Sequence, residues 1–205
     1  MSKFAVTSAL GLGAASAGGF GAYHFYSKSD DKSLRAKLIS EKYAPLEAEN
    51  KDHKTHWTTS LEKYKTKHTD RKQWNESQLK NLCNDLFKKE DIKTADYNEA
   101  RKYCVVPRSI LERLKDLDFA TLDTGADKET TKWTQLSEGY KKGGTSFKKL
   151  NNLESSGITD SNGAILRGKC DEVLKKDHWD DNYDALLDSS RVWCTEQGFK
   201  SLPPQ

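Results

Sequence analysis

Apolar residues recur along this chain with the period of a helix. Leu79, Leu82, Cys83, Leu86 and Phe87 stand at i, i+3, i+4, i+7 and i+8, the stripe that one face of an α-helix buries. Lys88 and Lys89 follow at the end where the helix dipole favours cations. Trp57, Leu61, Tyr64 and His68 mark a long amphipathic helix before this one. Tyr97, Ala100 and Cys104 mark a shorter one after it. Leu34, Leu38 and Ile39 begin the first helix, which Pro45 interrupts. Val105-Val106-Pro107 reads as an extended joint. Ile110, Leu111, Leu114 and Leu117 then give the next helix its buried stripe. Three further faces follow: Trp133, Leu136 and Tyr140; Leu166, Cys170, Val173 and Leu174; and Tyr183, Leu187 and Cys194, with Gly198 as the C-cap. No stretch alternates convincingly with the period of two that a half-buried strand requires. The fold class is all-α.

The stripes come in two sets. Leu79 to Glu90 and Leu166 to Asp177 match at most positions. Upstream, Trp57-Thr58 with Glu62, Tyr64 and Lys65 matches Trp133-Thr134 with Glu138, Tyr140 and Lys141 at the same internal spacing. Downstream, Arg101 to Cys104 matches Arg191 to Cys194. The order is conserved, which marks a duplicated unit. The expected organisation is an N-terminal segment at residues 1–27, a first helical unit at 28–125 and a second at 126–205, divided at the polar Asp123-Thr124-Gly125. Thr145 to Gly163 is longer than its counterpart, rich in Asn, Ser and Gly, and carries the turn signal Ser161-Asn162-Gly163. It reads as an exposed, variable loop.

Residues 4–26 contain no Lys, Arg, Asp or Glu. A helix of that length rises about 30 Å, enough to cross a bilayer core. Its Gly residues permit close packing between membrane helices, and Tyr23, Phe25 and Tyr26 fall where an interfacial aromatic belt would lie. The segment is an uncleaved transmembrane anchor or a signal peptide cut near Ala15-Ser16-Ala17. Apolar character continues past that site and favours the anchor. Lys28, Lys32, Arg35 and Lys37 follow it and, by charge alone, favour the body inside the cell.

The whole chain is polar, with charged residues at 32% and a mean hydropathy of −0.88, and much of its apolar content lies in the first 26 residues. Leu, Ile, Val and Phe are sparse, so a thin core must lean on Trp and Tyr, which bury roughly 150–250 Å² each. Net charge is only +3, and basic and acidic residues are interspersed, so no nucleic-acid footprint exists. Cys83, Cys104, Cys170 and Cys194 supply two cysteines per unit. In an exported protein they read as disulfides; the duplication favours Cys83–Cys104 and Cys170–Cys194. Each also sits on an apolar stripe, so four buried thiols are the competing reading.

Catalytic and metal-binding patterns are missing from the sequence. It has no phosphate-binding Gly-rich loop followed by Lys and Ser or Thr, and no G-x-S-x-G elbow. His53 and His56 lack a third metal ligand at fixed spacing. Asp160, Asn162 and Asp171 do not space as a calcium loop. Asp177, Asp180, Asp181, Asp184 and Asp188 form an acidic cluster whose simpler role is helix capping. Arg101 and Arg191, each three before a Cys, fit a salt bridge or stem packing. The expectation is no catalytic residue, cofactor, metal or small-molecule substrate.

The Met-Ser-Lys start, the Gly/Ala-rich apolar segment, the Trp-centred helices, Leu79-x-x-x-Cys83 with Leu166-x-x-x-Cys170, and Arg-Val-Trp193-Cys194 resemble a paralogous protein family of haemotrophic mycoplasmas. The resemblance covers nearly the whole chain. It implies surface display, antigenic variation and contact with a host protein or antibody, and it carries no activity or site residues. The functional expectation is a membrane-anchored, non-enzymatic surface protein with its body outside the cell. The rival is an adaptor tethered to the inner leaflet; a hydrolase whose site assembles only in three dimensions stands third.

Overall fold

Helices form where the stripes place them. A computed structural model describes residues 31–143 and 148–202 of the chain. Its α-helices are α1 (Leu34–Ser40), α2 (Lys54–Lys67), α3 (Glu76–Phe87), α4 (Thr94–Tyr103), α5 (Ile110–Asp116), α6 (Thr130–Lys142), α7 (Ala164–Leu174), α8 (Tyr183–Trp193) and α9 (Glu196–Lys200). The described residues contain no strand, only the isolated bridges Pro45–Val105 and Thr121–Thr195. Local chemistry sets the helix starts. Asn75 and Gln78 form a capping box on α3, and Ser109 and Glu112 one on α5. Residues 4–26 lie outside the described range. Among the described residues no helix is long and apolar enough to cross a membrane.

Two separate cores result. The first gathers Leu34, Leu38, Leu46, Trp57, Tyr64, Leu79, Cys83, Leu86, Phe87, Ala100 and Tyr103. The second gathers Ile110, Leu114, Leu122, Trp133, Leu136, Tyr140, Leu166, Cys170, Val173, Leu174 and Trp193. The expected boundary at Gly125 therefore falls too late. Ile110, Leu114 and Leu122 pack into the second core, because α5 is its first helix just as α1 is the first helix of the other.

The units correspond down to single hydrogen bonds. Leu34 and Ile110, Leu46 and Leu122, Trp57 and Trp133, and Tyr64 and Tyr140 are each 76 positions apart. Lys42 and Asp118, also 76 apart, share a left-handed backbone, at φ 62° and 63°. The Leu34 N–H donates to the Lys89 carbonyl at 2.7 Å, and the Ile110 N–H to the Lys176 carbonyl at 3.0 Å. The Leu46 N–H reaches the Cys104 carbonyl at 2.8 Å, and the Leu122 N–H the Cys194 carbonyl at 3.0 Å. The Trp57 indole N–H donates to the Glu47 carbonyl at 3.1 Å, and that of Trp133 to the Asp123 carbonyl at 3.0 Å. Each indole is thus buried with its one donor satisfied.

Several local expectations change. Helix α1 ends at Ser40, before Pro45, because the left-handed Lys42 turns the chain; Pro45 instead pairs with Val105. Leu111 is 44% exposed and lies outside the α5 stripe. The segment from Thr145 to Gly163 is not a free loop in its described part. Leu150 and Ile158 are buried, the Trp193 indole donates to the Lys148 carbonyl at 2.9 Å, and the Tyr140 hydroxyl donates to the Leu153 carbonyl at 2.6 Å. The extra chain covers the end of the second core. At the same end of the first, Tyr64 stacks with His68 and Trp74 instead. Gly163 takes φ 76°, and a Cβ there would come within 2.8 Å of the Thr134 nitrogen. That close approach to α6 requires glycine.

Cys83 bonds Cys104 and Cys170 bonds Cys194, with Cα separations of 5.5 and 5.6 Å. Each bond ties the third helix of a unit to the end of the fourth. Replacing Cys104 or Cys194 by Ser is expected to lower stability by about 2–5 kcal/mol, read as a shift of the urea midpoint. Since each pair closes within one unit, the other disulfide should persist in non-reducing peptide maps.

Candidate functional site

Part of the acidic cluster that the sequence displays, Asp180, Asp181 and Asp184, lies at the seam between the two units, and the seam is polar. From the second unit come Arg113 on α5 and the joint 175–182 between α7 and α8. From the first come the turn after α1 and the end of α4. Arg113 is 3% exposed. Its guanidinium donates to the Lys42 carbonyl at 2.6 Å and the Glu41 carbonyl at 2.7 Å, and lies 3.7 Å from the Tyr43 ring centroid. It therefore caps the C-terminal end of α1, where the helix dipole favours a cation.

His178 inserts at the end of α4. Its Nε2 lies 3.1 Å from the Arg101 carbonyl and 3.2 Å from the Lys102 carbonyl. Facing two acceptors, Nε2 carries the proton. Burial pushes the imidazole pKa down to about 4, and the nearby Arg101 and Lys102 cations push the same way. Trp179 packs against the first core beneath Lys63, whose Nζ is 5.5 Å from its ring. The Arg101 guanidinium forks onto the Asp184 carboxylate, with Nη2 to Oδ2 at 2.6 Å. That bond holds the Asp184 carboxyl below its usual range and raises Arg101. The Tyr183 hydroxyl donates to the Arg108 carbonyl at 2.9 Å, and burial raises its phenol. Lys42 pairs with Asp118 across the same seam.

These groups border a cleft of about 120 Å³ lined by Arg101, Lys102, His178, Asp180, Asp181, Tyr183 and Asp184. The residues of the acidic cluster have separate duties. Asp177 accepts from the Trp179 N–H at 2.8 Å and Asp180 from the Asn182 N–H at 3.0 Å, so both shape the joint. Asp188 pairs with Lys148 and Arg191. Asp181, at 89% side-chain exposure, lies 3.6 Å from Lys102. In this arrangement His178 donates to the backbone and Asp184 is held by arginine. Its chemistry is that of a clasp between units.

The other candidates disperse. Cys83, Cys104, Cys170 and Cys194 lie in the two cores as cystines. His53 accepts from the Glu47 N–H at 2.9 Å through Nδ1, and its ring centroid is 6.2 Å from that of His56. Asp160 caps α7 through the Ala164 N–H, and Asp171 bonds Thr124 and Lys175. Among the described residues no group of three His, Cys, Asp or Glu side chains could hold a metal.

Sequence reading missed Arg113 and His178, although both leave a trace. Ile110, Arg113 and Leu114 stand at i, i+3 and i+4, so a charge sits on the buried face of α5. Cys83 and Cys170 are 87 apart, whereas Cys104 and Cys194 are 90 apart. The second joint is the longer one, and it carries His178 and Trp179. Comparison with protein-family profiles, with curated proteins and with solved structures returns no match. The functional reading rests on the chain's own residues.

Two outcomes are expected at the seam. Arg113→Met strands two carbonyls at the end of α1 and should lower stability by about 2–4 kcal/mol, measured by urea unfolding. His178 binds a proton in the unfolded chain below pH 6.5 but in the folded chain only near pH 4. Its contribution is present above pH 6.5 and lost as pH falls from there toward 4, by about 3 kcal/mol in all. His178→Gln should flatten the melting temperature across that window, and equal slopes for the two proteins would refute the assignment.

Proposed function

We propose that this chain is a membrane-anchored, non-enzymatic surface protein whose helical body faces outward and takes part in host contact or antigenic variation. The observation that carries the reading is one cystine buried in each unit. Disulfides persist in oxidising compartments and are rare where glutathione keeps thiols reduced. The uncharged stretch at residues 4–26 supplies the anchor. Two further features support a body held in solvent. Among the described residues Leu111 is the one large apolar side chain that is exposed, and exposed charges pair along the surface, as in Lys149–Glu154 and Lys175–Asp171. A partner would meet polar, mixed-charge helices. The basic residues Lys28, Lys32, Arg35 and Lys37 favour the second reading, an adaptor tethered to the inner leaflet.

Intact cells separate the two. Acid quenching followed by alkylation under denaturing conditions should leave all four cysteines unlabelled until reduction. Protease added outside should cut the body at exposed lysines. Free thiols in the quenched cells, with a body protected until lysis, would sink the surface reading and favour the adaptor.

A further inference from the structure

The first unit receives the second at three places. The Lys42 carbonyl accepts from Arg113, the carbonyls of Arg101 and Lys102 meet His178, and Lys63 covers Trp179. The duplication places an equivalent of each on the second unit: Asp118, then Arg191 and Val192, then Gly139. All three are occupied by α9 and Leu202. The Asp118 carbonyl accepts from the Gln197 side chain at 2.9 Å, while the Gln197 Oε1 accepts from the Ala120 N–H at 3.1 Å. Gly198 lies against the carbonyls of Arg191 and Val192, so that a Cβ there would come within 2.7 Å of the Arg191 oxygen. Leu202 covers Gly139 at 3.0 Å from the position a Cβ would take. Gly198 is accordingly buried inside α9 and is not the C-cap of α8. Glycine there permits the contact.

We propose that α9 and Leu202 cap this face of the second unit, and that the face beneath them is a docking surface for a further unit of this same kind. Helix α9 leaves Cys194 along the path by which the chain leaves Cys104 toward α5: the Val106 N–H meets the Ala44 carbonyl and the Glu196 N–H the Ala120 carbonyl, both at 2.8 Å. It stops after five residues and satisfies the surface that a third unit would otherwise cover. Terminal repeats of stacked arrays carry such caps, because an uncovered stacking face exposes apolar area and unpaired carbonyls. The partner that fits is a unit offering an arginine at the Arg113 position and a His-Trp joint. Arg191 would take the role of Arg101 and receive that unit's counterpart of Asp184. In the present chain Arg191 instead pairs with Asp188 at 3.4 Å and lies 5.5 Å from the Phe119 ring centroid.

The test lengthens the full chain by repeating residues 106–195 once after Thr195, ahead of α9. The expected product is a monomer with three disulfides and one cooperative urea transition. Arg191→Ala in the middle unit should then shift the unfolding equilibrium about tenfold more than the same substitution does in the parent chain, since a two-bond fork onto a carboxylate of the next unit replaces a single 3.4 Å contact within one helix. An inserted unit that aggregates or unfolds in a transition of its own overturns the proposal, as does an equal effect of Arg191→Ala in both chains. Gly198→Ala in the parent chain checks the seat of the cap. Faster hydrogen exchange in α9, with α6 to α8 still protected, is expected; unchanged exchange in α9 would also overturn it.

Discussion

Each unit hangs on the point where its last helix ends in a cystine. The chain has few aliphatic residues to spend on a core, so at Cys104 and Cys194 three demands meet. The disulfide ties the helix end to α3 or α7. The carbonyl of the same cysteine accepts from Leu46 or Leu122 and closes the turn after the first helix. The preceding residue, Tyr103 or Trp193, fills the core beside Tyr64 or Tyr140. A covalent bond that restricts the unfolded chain does most at such a junction, where a thin core alone would be marginal.

The same junction faces outward as a docking surface. Carbonyls in the last turn of a helix have no partner within it. In the first unit those of Arg101 and Lys102 are satisfied by His178, and the turn after α1 by Arg113. The seam is therefore held by donors that answer helix-end acceptors, with Trp179 as its apolar plug. Such an interface demands close placement, because truncating Arg113 strands the carbonyls it bonds and protonating His178 buries a charge.

Duplication explains why two units so alike have different ends. Beyond the shared framework, the first unit covers the far end of its core with the Tyr64, His68 and Trp74 stack, and the second with Leu150, Leu153 and Ile158. On the docking side, the first carries the second unit and the second carries α9. Both solutions bury comparable positions with unrelated chemistry. Covering segments of unrelated chemistry thus close the same cystine framework in the two units.

The helices, the duplication and the pairing of cysteines were legible in the sequence because each has a local or periodic signature. A buried stripe repeats every three to four residues, and copied segments align with themselves. The unit boundary was misplaced because Asp123 to Gly125 looks like a linker, whereas α5 packs forward onto Leu122 and Trp133. Leu111 and Ile110 are neighbours of similar hydropathy, and only the contact surface decides which one is buried. The seam was decided by tertiary structure alone. Arg113 meets Lys42, and His178 meets Arg101, across more than seventy residues of chain. No periodicity encodes such a meeting, because it depends on how two finished surfaces fit. Gly198 makes the same point: as a helix terminator it follows from propensity, but its place inside α9 follows from the carbonyls it must approach.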